Sequence, residues 1–62
     1  MSIESIQKVN QTEALAREKK QAAAAQAKQI IRDAQQSGQL LLEQARKEAE
    51  AQVREVLAQA EQ

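Results

Sequence analysis

Residues 29–61 divide into three blocks of eleven, QIIRDAQQSGQ (29–39), LLLEQARKEAE (40–50) and AQVREVLAQAE (51–61). Small or apolar residues recur at the same three positions of each block, and one turn earlier Ala27 extends the series. Successive members are separated by 4, 3, 4, 4, 3, 4, 4, 3 and 4 residues, without a slip. We call this series the seam: Ala27, Ile31, Ala34, Gly38, Leu42, Ala45, Ala49, Val53, Val56 and Ala60.

Steps of three and four residues place the seam on one face of an α-helix. A seven-residue repeat in the same phase fails after Ala45, because its next positions are Glu48 and Gln52. The repeat is therefore eleven residues in three turns, about 3.67 residues per turn. A seam with this period predicts a right-handed coiled coil, and the fold class predicted is all-α.

The seam passes through Gly38, the only glycine of a chain without proline. Glycine inside a helix costs about 1 kcal/mol relative to alanine. It can mark a turn between two helices or a close approach of another backbone. Because a hairpin turn would have no reason to preserve the phase of the seam, we interpret Gly38 as a contact position inside one long helix.

Residues 1–26 follow a less regular, heptad-like series that includes polar members. We call it the N-terminal stripe: Ile6, Val9, Glu13, Ala16, Lys20 and Ala23. The polar members either fix the register with a partner or lie where packing is loose, and the sequence leaves both readings open. We predict one coiled-coil domain over 1–62, heptad-like over 1–26 and in the eleven-residue register over 27–62.

Local signals favour one continuous helix, since most residues are good helix formers. Ser2 is a predicted N-cap, and Glu4 lies in the first turn, where the helix dipole favours a negative charge. Four acid–base pairs are spaced i,i+4 with the acid first, each worth about 0.2–0.5 kcal/mol. They are Glu4–Lys8, Glu13–Arg17, Glu43–Lys47 and Glu50–Arg54.

Composition excludes several classes of protein. The 62 residues include no cysteine, histidine or aromatic residue, so we predict no disulfide framework, no Cys/His metal site and no His-dependent nucleophilic triad. No phosphate-binding or Ca²⁺-binding loop occurs. We therefore expect no catalytic residue, no cofactor and no metal, and a protein that is not an enzyme. No apolar run is long enough for a transmembrane segment.

A cluster of five cations lies between Arg17 and Arg32, but the net charge of the chain is zero. Nucleic acid is not an expected partner, because no aromatic residue is present for base stacking. The seam is rich in alanine and would leave an apolar stripe in water on a lone helix, so we expect a helical partner chain. A different chain and a homodimer in isolation both remain open.

The stretch at 6–16 carries Ile6, Gln7, Val9, Gln11, Glu13 and Ala16 in the pattern Ile-Gln-x-apolar-x-Gln-x-Glu-x-x-Ala. This pattern resembles the start of the G-type (also called H-type) peripheral stalk proteins of the vacuolar/archaeal-type (V/A-type) ATPases. The alanine-rich eleven-residue register is similar to that family as well. Together the two features cover most of the chain.

The resemblance implies a right-handed coiled coil with the E-type stalk protein in the peripheral stalk, or stator, of a rotary ATPase. Such a stalk links the catalytic head to the membrane sector and resists rotor torque during ATP-coupled hydrogen ion or other ion transport, or during ATP synthesis. It implies a cytoplasmic location, with peripheral attachment to the membrane complex through other proteins of the assembly. The alternatives are a homo-oligomeric coiled-coil spacer or scaffold and, in a third class, a desiccation-protective or lipid-surface protein.

Overall fold

The computed structural model describes residues 2–62; Met1, which the predicted domain 1–62 includes, lies outside the described residues. The described residues form one α-helix, α1, over Ile3–Ala60, and they contain no strand. The predicted all-α class and the single helix are confirmed. The coiled coil with a partner stays a prediction, since a second chain is needed to form one.

Both ends of α1 are closed by hydrogen bonds of the kinds expected at helix termini. The Ser5 amide donates to the Ser2 hydroxyl oxygen at 3.2 Å, and the Ile6 amide donates to the Ser2 carbonyl at 3.1 Å. These bonds confirm Ser2 as the N-cap. At the other end, the Glu61 amide donates to the Leu57 carbonyl at 3.1 Å, so one of the last carbonyls of the helix is satisfied.

The chain divides into two segments, segment 1 (Met1–Ile31) and segment 2 (Arg32–Gln62). Within each segment, residues distant in sequence make no contact among those that the structure describes. Of residues 2–62, none is buried, Gly38 alone is half-buried and the rest are exposed. Neither segment therefore has a hydrophobic core of its own.

Hydrogen bonding and propensity, rather than packing, account for the helix. Alanine, glutamine, glutamate and the basic residues lose little conformational freedom in a helix. Thr12 is a poorer helix former, and its hydroxyl donates to the Lys8 carbonyl at 2.9 Å. This bond to the preceding turn satisfies the hydroxyl within the helix.

Candidate partner-binding face

In segment 2 the seam lies entirely within α1, where steps of three and four residues stack its members along one side. Its large apolar members remain open to solvent: Leu42 is 73% exposed, Val56 63% and Val53 58%. A single helix has no second layer against which to bury them. This face is therefore available in full to a second helix.

A depression on segment 2 is lined by Ala49, Gln52, Val53 and Val56, with Leu57 beside them. The first four residues lie at i, i+3, i+4 and i+7. In coiled coils, four residues of one helix form the hole that receives one side chain of the facing helix. Three of these four are seam members: Ala49, Val53 and Val56.

A second depression lies one turn earlier, between Arg46, Ala49, Glu50 and Val53, with Arg54 at its edge. It repeats the same four-residue spacing and shares two seam members with its neighbour. Consecutive holes of this kind are what a facing helix needs to insert successive side chains. The partner-helix contacts of this stretch stay a prediction.

Arg46 lies directly after the seam residue Ala45 and binds two acidic side chains of its own helix. Its guanidinium is 2.5 Å from a Glu43 carboxylate oxygen and 2.6 Å from one of Glu50. The hydrogen bonds that the guanidinium donates to Glu43 and then to Glu50 raise the pKa of Arg46 above its usual value. All three side chains are half exposed, which keeps the contribution of these ion pairs to stability small.

The predicted i,i+4 pairs Glu43–Lys47 and Glu50–Arg54 are wrong, because both carboxylates bind Arg46 instead. A guanidinium presents several N–H donors in a planar fork and can serve one acid three residues before it and another four residues after it. A lysine ammonium has no such fork. The other two predicted pairs, Glu4–Lys8 and Glu13–Arg17, are likewise absent from the described residues.

Gly38 has ordinary right-handed helical geometry, with no positive φ. A Cβ placed on it would meet no atom within 4 Å. The interpretation of Gly38 as part of the helix, rather than as a hairpin turn, is confirmed. Nothing within segment 2 requires a glycine at this position, and no contact within the segment compensates for the weaker helix propensity of Gly38.

In segment 1 the seam members Ala27 and Ile31 and the whole N-terminal stripe also lie within α1 and are exposed. A depression on this segment is lined by Ser5, Lys8, Val9 and Thr12, with Glu13 at its edge. Its first four members again follow the spacing i, i+3, i+4 and i+7. Val9 and Glu13 of the stripe thus border a depression of the same form.

The described residues contain no group of three or more acidic residues placed to hold a metal ion. No helix among them combines the length and apolarity needed to cross a membrane. Comparison of the chain with protein-family models, with curated proteins and with solved structures finds no match. The exposed seam is the feature of the described residues that points to a function.

Proposed function

We propose that this chain is a non-catalytic component of the peripheral stalk of a V/A-type rotary ATPase, pairing along its seam with the E-type stalk protein. The observation that carries the proposal is the continuous helix Ile3–Ala60, whose apolar face is left uncovered by its own chain. The match at residues 6–16 to the G-type pattern and the eleven-residue register support the stalk in particular. In this role the chain lies on the cytoplasmic side and is attached to the membrane sector through other proteins of the assembly.

A stator must hold the catalytic head against the torque of the rotor without a break in its length. A helix that continues through Gly38 without a turn provides such an element, because every residue along it is joined by the helical hydrogen-bond ladder. Alanine and glycine in the seam let two helix axes approach closely. Right-handed winding around the E-type stalk protein would distribute lateral load between two chains.

Each alanine buries little apolar area, so the free energy of pairing is spread along the seam rather than concentrated in one cluster. Larger residues interrupt this pattern at Ile31, Leu42 and Val53, eleven residues apart. They recur at the same phase of each repeat and would act as evenly spaced anchors. A long and evenly held interface suits a load-bearing rod better than a compact one.

Mixing the chain with the E-type stalk protein from the same genome, followed by sedimentation analysis, tests the proposal. We expect a one-to-one complex with more helix than the separated chains. Leu42→Asp should weaken this complex, whereas Gln44→Asp, outside the seam, should leave it intact. A stable self-associated species that ignores the E-type protein would contradict the stalk function and favour the homo-oligomeric spacer.

A further inference from the structure

The two segments carry opposite net charge. Segment 1 contains five cationic and three anionic side chains, a net charge of +2, and segment 2 contains four cationic and six anionic side chains, a net charge of −2. A parallel copy in register would place like charge beside like charge over both segments. An antiparallel copy would place segment 1 of each chain beside the oppositely charged segment 2 of the other, which is the favourable arrangement.

The spacing of the apolar face has the same antiparallel symmetry. Counted backwards from Ile31 to Ala16, the positions of the seam and the N-terminal stripe follow steps of 4, 4, 3 and 4 residues. The same eleven-residue spacing then continues to Val9 with steps of 4 and 3 if it passes through Thr12 instead of the stripe's Glu13. Counted forwards from Ala34 to Val56, the seam follows the same steps. Segment 1 of one copy therefore stays in phase with segment 2 of another for six steps, or about six helical turns.

Side-chain sizes are complementary in this alignment. Ala23 lies opposite Leu42 of the other copy, and Ala27 lies opposite Gly38. Leu42 is 73% exposed, so it has apolar surface to bury. Small residues facing large ones allow two helices to interdigitate, and the alanine–glycine level allows the backbones to come close.

In this alignment Thr12, one position before Glu13, is a residue of segment 1 that faces the other copy. Its hydroxyl donates to the Lys8 carbonyl at 2.9 Å. Since that polar group is already satisfied, the methyl group can contact Val53 of the facing copy without leaving a buried donor unpaired. Lys20 is the charged member of the series, and its aliphatic stem can cover Ala45 while the ammonium reaches water.

We propose that the chain alone binds a second copy of itself as an antiparallel dimer, with segment 1 of each copy against segment 2 of the other. Ala16 then lies opposite Ala49 at both ends of the interface. This inference does not rest on the stalk function, because it concerns the chain in the absence of any other protein. The E-type stalk protein would compete for the same face.

Disulfide pairing tests the orientation and the register together, because the chain has no cysteine of its own. Ala16→Cys and Ala49→Cys chains, one of them isotope-labelled, are mixed in a glutathione redox buffer and their disulfides are identified by mass spectrometry. We expect the mixed 16–49 disulfide well above the share, about half, that random pairing would give. Both positions are alanines of the apolar face, so the substitutions are matched in size and place.

Ala27→Cys mixed with Ala49→Cys is the register control. In the proposed dimer these positions are eleven residues out of register, about 16 Å along the axis, which exceeds the Cα separation of about 7 Å that a disulfide can bridge. We expect no enrichment of this pair, and sedimentation of the unmodified chain should give a dimer.

Three outcomes would overturn the proposal. Predominant 16–16 and 49–49 disulfides indicate a parallel pair, and an enriched 27–49 disulfide indicates an antiparallel pair shifted by one repeat. A monomer at the highest soluble concentration of the unmodified chain excludes self-pairing altogether. None of these outcomes bears on whether the E-type stalk protein forms a complex with the chain, so failure here is distinguishable from failure of the stalk function.

Discussion

Replacing Leu42 with aspartate is expected to weaken pairing with any helical partner by at least about tenfold. Leu42 is the most exposed large apolar side chain of the seam, at 73%. Complete burial of a leucine side chain contributes about 1.5–3 kcal/mol, so covering the part still exposed contributes about 1–2 kcal/mol. Aspartate loses this contribution and places a charged carboxylate on the apolar face, where covering it with a partner helix costs free energy. Since about 1.4 kcal/mol corresponds to a factor of ten in Kd, the tenfold figure is a lower bound.

Gln44→Asp is the matched control for Leu42→Asp. Leucine and glutamine are both good helix formers, so each substitution costs the helix a similar amount and adds the same charge. The substitutions differ in that Leu42 lies on the seam and Gln44 does not. Sedimentation equilibrium at several concentrations gives the Kd of each complex, and Ala45→Asp should act in the same direction as Leu42→Asp. Equal weakening by the Leu42 and Gln44 variants, or by neither, would refute the assignment of the seam.

Three further substitutions test the helix itself. Gly38→Ala should stabilise the helix of the dilute chain by about 1 kcal/mol and so raise its helix content, because the added Cβ meets no atom of another turn or side chain within 4 Å. A weaker helical signal in circular dichroism would contradict this. Ser2→Ala should destabilise the first turn by about 1 kcal/mol and speed hydrogen exchange of the Ser5 amide, with segment 2 as the internal reference. Arg46→Gln should change helix content little at low or high salt, because its ion pairs are exposed, and a large loss would show that they matter more.

The helix and its N-terminus could be predicted from sequence because their signals are local. The Ser5 amide of the first turn donates to the Ser2 hydroxyl oxygen, as the sequence predicts for an N-cap. Gly38 lies in phase with the seam, which predicts a helix there. Both predictions depend on a few neighbouring residues. The confirmation at Gly38 is the more informative one. A lone glycine in a helical pattern is ambiguous by itself, and only the unbroken spacing on both sides favoured a helix over a turn.

The ion pairs could not be predicted from spacing in the same way. Glu43 has Arg46 three residues later and Lys47 four residues later, and Glu50 has Arg46 and Arg54 at four residues on either side. Spacing allows each of these pairings, so the choice depends on side-chain geometry. The fork of the Arg46 guanidinium serves both acids at once, a property of the side chain that a count of residues does not contain.

The handedness of the coil stays a prediction for a related reason. Supercoiling arises when a seam must keep facing its partner along the whole helix, so it is a property of two chains and not of one. The same holds for the polar residues Glu13 and Lys20 of the N-terminal stripe. Neither side chain has a hydrogen-bond or ion-pair partner among residues 2–62, and whether the two fix a register depends on the side chains that face them.

The absence of a core couples the folding of this chain to its association. None of the described residues is buried, so the helix of a single chain draws its stability from backbone hydrogen bonds, propensity, the Ser2 cap and exposed side-chain pairs, and not from a hydrophobic core. Most helical stability in proteins comes from the packing of an amphipathic face rather than from propensity. The apolar surface of the seam contributes only when a second helix covers it. Helix content should therefore rise with chain concentration or with added partner. Helix formation and association should show the same midpoint concentration. Helicity that is independent of concentration in a chain that nevertheless pairs would separate folding from association and contradict this coupling.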